Sequence, residues 1–113
     1  MMKVNDKIFI SLFISSNGKH RYENGTMKEM ENLLSIRNSK SGIVKEYLNN
    51  DLYLLYNKDS NESSNAIVNK YVDTDNVRGP VILYKDDKSD VNILTCENLK
   101  KVFKDLDYFE FIV

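Results

Sequence analysis

The chain has 113 residues, 42% of them hydrophobic and 29% charged, with one proline, one cysteine and a formal net charge of -1. A chain of this length has room for one core and buries roughly 65% of its unfolded surface, and it carries too much apolar side chain to be a disordered tail. The balanced charge argues against a duplex-DNA binder and an acidic DNA mimic alike, and the lone cysteine excludes an intramolecular disulfide, a thiolate zinc site and an iron-sulfur cluster, which fits a reducing, cytoplasmic compartment.

In chain order, Lys7 to Ser15 combines β-branched and aromatic residues and stops at Ser16-Asn17-Gly18, where glycine admits a positive φ. Its apolar run, Ile8 to Ile14, follows Lys3 and Lys7 and imitates a signal-peptide core, but it is too short to span a bilayer as a helix. It predicts a first strand, with Lys19 to Glu23 as hairpin partner. After Asn24-Gly25, the run Thr26-Met27-Lys28-Glu29 has capping-box form, and Met30, Leu33 and Leu34 follow at helical spacing. A helix from Met27 to Ile36 is expected. A polar loop, Arg37 to Gly42, then precedes two strands, Ile43 to Leu48 and Leu52 to Tyr56, joined at Asn49-Asn50-Asp51.

Lys58 to Glu62 reads as a second polar loop, and Ala66, Ile67, Lys70 and Tyr71 carry the period of an amphipathic helix. Gly79-Pro80 breaks the chain before Val81-Ile82-Leu83-Tyr84, whose unbroken apolar run predicts a strand buried on both faces in the middle of a sheet. Asp86 to Asp90 is a charged loop. Thr95 is placed to cap a third helix from Cys96 to Leu106, with Leu94 stapling against Leu99, and Tyr108 to Val113 reads as a last strand. The sum is one globular α+β domain over residues 1–113, a single mixed sheet of about five or six strands with about three helices.

Chemistry finds little support in this pattern. Cys96 at a helix start would sit near the positive end of the dipole, which favours thiolate, yet a free cysteine is equally at home as a small buried hydrophobe. A cysteine hydrolase also needs a base, and the sole histidine, His20, stands in a turn between Lys19 and Arg21, whose charges disfavour its protonated form. Asp59 to Ser63 and Asp73 to Asn76 begin like calcium loops, but Ser64 and Arg78 occupy the glycine position, and Lys70 and Tyr84 the closing glutamate position. Asp86, Asp87 and Asp90 are expected to stay solvated with ordinary pKa values. The sequons Asn24-Gly25-Thr26 and Asn61-Glu62-Ser63 read as chance matches in a chain rich in asparagine and serine. No catalytic, cofactor or metal residue is assigned.

What remains is surface. Lys100, Lys101 and Lys104 on the third helix, with Tyr108, could present cations and a stacking ring to single-stranded RNA, although a solvated helix face explains them as well. Tyr53 and Tyr56 are of the kind enriched at interfaces, and the terminal Tyr108, Phe109, Phe111 and Val113 offer an aromatic strand to this sheet or to another chain. The leading expectation is a non-catalytic protein-binding or assembly module that self-associates or holds a protein partner, with no membrane contact. A small enzyme or redox protein using Cys96, or a weak single-stranded RNA binder, are the alternatives.

The order Asp51-Leu52-Tyr53-Leu54-Leu55-Tyr56, Asn65-Ala66-Ile67-Val68-Asn69-Lys70, Gly79-Pro80-Val81-Ile82-Leu83-Tyr84 and Leu94-Thr95-Cys96-Glu97-Asn98-Leu99 resembles small domains of large nucleocytoplasmic DNA viruses. The resemblance covers the second half of the chain. It implies a viral protein of the host cytoplasm, virion-associated or host-interacting, and no site residues. An excess of lysine, asparagine, isoleucine and tyrosine over arginine and alanine fits the AT-rich genomes of such viruses.

Overall fold

The computed structural model describes residues 7–36, 40–71 and 76–102. Its first strand, β1 (Ile8–Ile14), turns at Gly18, whose φ is 88°, and returns as β2 (His20–Gly25). The pair runs antiparallel from Phe9↔Gly25 to Ile14↔His20, so His20 begins a strand and does not stand in the expected turn. A second hairpin joins β3 (Ile43–Asn49) to β4 (Leu52–Asn57). Its two loop residues, Asn50 and Asp51, have φ of 48° and 64°, the left-handed pair that matches the twist of a hairpin and that Asn and Asp tolerate.

Strand β5 (Val81–Lys85) lies at the centre of the order β2-β1-β5-β4-β3 and pairs antiparallel with β1 and β4. Its first four residues are all buried, as expected of an apolar run covered on both faces. The sixth strand, β6 (Val91–Ile93), was not legible as one. It pairs parallel with the first half of β1, on the side where β5 pairs with the second half. The sequence hides it because its polarity is inverted: Asn92 is buried, whereas Val91 and Ile93 are exposed. The Asn92 amide closes the preceding loop, accepting from the Asp87 N–H at 2.9 Å and donating to the Ser89 carbonyl at 2.8 Å.

Among the described residues, three α-helices flank the sheet. The first, α1 (Met27–Leu34), starts at the expected capping box, with Thr26 Oγ1 accepting from the Glu29 N–H and the Glu29 carboxylate accepting from the Thr26 N–H. It ends two residues earlier than expected, where the Ser35 N–H bonds back to the Asn32 carbonyl. Met30 and Leu34, one turn apart, press onto Phe9, Leu55, Ile82 and Tyr84. The other face carries α2 (Ala66–Tyr71) and α3 (Cys96–Val102), whose Val68, Leu99 and Val102 cover Leu12, Ile14, Leu52, Leu54, Val81 and Leu83. The single expected core is thus divided by the sheet into two clusters.

Thr95 caps α3 as expected, with Asn98 in place of the usual glutamate: Asn98 Oδ1 accepts from the Thr95 N–H at 2.9 Å and Thr95 Oγ1 from the Asn98 N–H at 3.2 Å. Leu94 and Leu99 share one buried cluster, which bears out the staple. The helix is described as far as Val102, and the expected last strand, Tyr108 to Val113, lies outside the described residues.

Candidate functional surfaces

Register places five apolar side chains together. Ile8↔Val91 and Ile10↔Ile93 are partners across β1 and β6, and Leu12↔Tyr22 across β1 and β2. Partners share a face of the sheet and side chains two residues apart stand on the same side, so Ile8, Ile10, Tyr22, Val91 and Ile93 lie on the face of Leu12 and Ile14. The described parts of α2 and α3 seal Leu12 and Ile14 but stop short of the rest: Val91 and Ile93 are each 50% exposed, and Tyr22 37%. Ile8 and Ile10 are half-buried. None of the five was singled out from the sequence. The only signal for the pair on β6 was a period-two alternation three residues long, embedded in a charged run.

Of the tyrosines that were singled out, Tyr53 and Tyr56 are half-buried and pack inward. Tyr53 stacks on Tyr84 at 5.3 Å between ring centroids and meets Tyr47 edge-on at 5.2 Å. Tyr56 packs against the cluster beneath α2 and α3. Tyr47, 58% exposed on the outer strand β3, is the most exposed aromatic of this hairpin. Tyr108, Phe109, Phe111 and Val113 lie outside the described residues, as does Lys104, while Lys100 and Lys101 are exposed on α3.

The structure places Cys96 at the first residue of α3 and His20 at the first residue of β2. The hollow beside His20 is formed by Ser15, Asn17, Lys19 and Arg21, so two cations attend it. Among the described residues, no three His, Cys, Asp or Glu side chains gather as a metal ion would require. No described helix is long and apolar enough to cross a membrane.

The acidic loop departs from the expectation of free, ordinary carboxylates. Asp86 accepts from Lys7 Nζ at 2.9 Å, tying the loop to the start of β1. Burial acts to raise its carboxyl, but the Lys7 hydrogen bond, the Lys88 N–H and the charges of Lys7 and Lys45 together hold it below the ordinary value. Asp87, at the surface, is also lowered, by the Ser89 hydroxyl and N–H. Asp90 contributes its carbonyl, which accepts from the Ile8 N–H at 2.9 Å.

A depressed folded pKa stabilises above the unfolded value and is lost as pH falls through the folded one. Asp86 should therefore begin to cost stability only below about pH 3.9, the ordinary aspartate value. A Lys7→Met variant removes the first hydrogen bond, so its loss of stability on acidification should be smaller than that of the parent in urea melts across that range. Equal losses would remove the pair from the acid response.

On the opposite face Tyr84 is 1% exposed, and its hydroxyl has no hydrogen-bond partner among the described residues. Burial foremost, and then the charge of Asp86, push its pKa far above the ordinary tyrosine value, so it stays a neutral donor. No protein-family model matches the chain, and no curated protein or solved structure matches it.

Proposed function

We propose that the protein is a non-catalytic protein-binding or assembly module whose contact surface is the face formed by Ile8, Ile10, Tyr22, Val91 and Ile93. The observation that carries this reading is the half-exposure of Val91 and Ile93 beside an otherwise sealed cluster. Apolar side chains gathered on one rigid sheet gain most from being covered by another chain, and Tyr22 is of a type enriched at such contacts. A virion-associated or host-interacting role, which the viral resemblance implies, is compatible with this surface.

The test is a Val91→Asp, Ile93→Asp double variant. Both positions are exposed, so folding should change by only about 0.5 kcal/mol per site. Sedimentation at tens of micromolar should show the parent protein assembling and the variant monomeric, with unchanged circular dichroism. A parent that stays monomeric would remove self-association and leave only a different protein as the partner, and a folded variant that assembles equally well would overturn the surface.

A further inference from the structure

The sequence holds two Asn-Gly pairs, Asn17-Gly18 and Asn24-Gly25, and the fold treats them differently. An asparagine followed by glycine exposes its side-chain amide to the next backbone nitrogen, because glycine has no Cβ to crowd that nitrogen. Asn24 and Gly25 end the β2 ladder opposite Ile10 and Phe9, and Gly25 is buried, so this stretch of backbone is fixed. Asn17 is exposed, and Gly18, at a φ of 88°, turns the chain between β1 and β2.

Two donors meet on the Asn17 side chain. The Lys19 N–H donates to Oδ1 at 3.2 Å, closing an Asx-turn that folds the side-chain amide over the peptide joining Asn17 to Gly18. The Ser15 hydroxyl donates to the same oxygen. Negative charge develops on Oδ1 when a nucleophile adds to Cγ, and hydrogen bonds already aimed at that oxygen strengthen as the charge appears.

The attacking atom is the Gly18 nitrogen, whose N–H donates to the Ser15 carbonyl at 3.0 Å. That bond must open first, but it belongs to the turn and not to the strand ladder, and such bonds open at low cost. A hollow of about 380 Å³, lined by Ser15, Asn17, Lys19, His20 and Arg21, lies beside the turn and gives water access to it. Lys19 and Arg21, the latter shared with Glu23, place positive charge near the oxygen that becomes anionic.

We propose that Asn17 is a site of spontaneous deamidation. The Gly18 nitrogen bonds to Cγ, the bond from Cγ to Nδ2 breaks, and the proton lost by Gly18 is balanced by the one that ammonia carries away, leaving a succinimide. Water then opens the ring at the side-chain carbonyl to give aspartate, or at the main-chain carbonyl to give isoaspartate. The sum is asparagine and water giving a carboxylic acid and ammonia. Either product adds a negative charge beside Lys19. Isoaspartate also draws the Oδ1 carbonyl into the main chain, which lengthens the turn and takes the acceptor from the Lys19 N–H. The reaction is independent of the apolar contact surface.

The experiment incubates the full chain at neutral pH in ¹⁸O-labelled water, with and without urea, and follows both Asn-Gly peptides by digestion, chromatography and mass spectrometry. In the native protein Asn17 should convert at least about tenfold faster than Asn24, whose reaction must first break ladder hydrogen bonds. Its product should carry ¹⁸O and include isoaspartate. In urea the two sites should convert at similar rates. Ser15→Ala, which removes one donor to Oδ1, should slow Asn17 severalfold in the native chain and leave its rate in urea unchanged. Equal native rates at the two sites, aspartate without isoaspartate, or a native Ser15→Ala rate equal to that of the parent would each overturn the proposal. The Val91→Asp, Ile93→Asp protein should deamidate like the parent, so failure of the protein-binding reading is recognised separately.

Discussion

Replacing Asn65 with alanine is expected to cost about 3 kcal/mol, a large share of the stability of a domain this size. Asn65 is fully buried at the start of α2, where Oδ1 accepts from the Val68 N–H at 3.3 Å and caps the helix. Its amide nitrogen faces the carbonyls of Gly79 at 3.0 Å, Ile14 at 3.2 Å and Ser15 at 3.4 Å. One side chain therefore joins α2 to the end of β1 and to the turn before β5. Alanine removes the cap, worth about 1 kcal/mol, and strips a donor from buried carbonyls, which adds about 1–3 kcal/mol. An Asn65→Asp variant separates the two contributions. It keeps the acceptor for Val68 but turns a carboxylate oxygen toward the three carbonyls, so it should be at least as damaging at neutral pH and recover partly as the carboxyl is protonated. Urea denaturation gives the comparison. A loss below about 1 kcal/mol for alanine would mean that Asn65 acts as a cap alone.

Asn65 also shows what the sequence could and could not disclose. The chain's asparagines read as loop formers, sequon matches and a mark of base composition. Several are fasteners in the structure: Asn57 donates to the Leu34 carbonyl at 3.4 Å, Asn69 brackets both backbone groups of Val77 at 2.8 and 2.9 Å, Asn92 closes the acidic loop and Asn98 caps α3. Most of these partners are backbone groups brought close by the fold, and no local period reports them. Whatever rests on local physics was readable: the capping box at Thr26, the glycine turn at Gly18, the Asn50-Asp51 hairpin and the central place of Val81 to Tyr84. The exposed apolar face was not, because it arises only when β6 pairs with β1 across a separation of some eighty residues.

The unbroken run that identified β5 leads to the other large effect, Leu83→Ala. Leu83 stands between Leu12 of β1 and Leu54 of β4 in direct register, and all three side chains are fully buried. Truncating it removes the middle of a row whose neighbours are held by ladder hydrogen bonds roughly 4.8 Å apart, so the strands cannot close over the gap. Buried leucine-to-alanine changes cost about 2–5 kcal/mol, rising with the cavity that persists, and this site belongs near 4 kcal/mol. Val102, at the rim of the same cluster and 8% exposed, is a smaller side chain that loses less apolar volume on truncation, so Val102→Ala should cost about half as much or less. The difference between the two urea midpoints, at equal slope, measures how rigidly the sheet holds this face. Because Leu12 continues directly into Ile10 and Ile8, a rigid row is also what would keep the exposed apolar surface flat and ready for a partner. Similar losses for Leu83→Ala and Val102→Ala would instead mean that the layer relaxes around a gap, and the neighbouring contact surface would then be a deformable one.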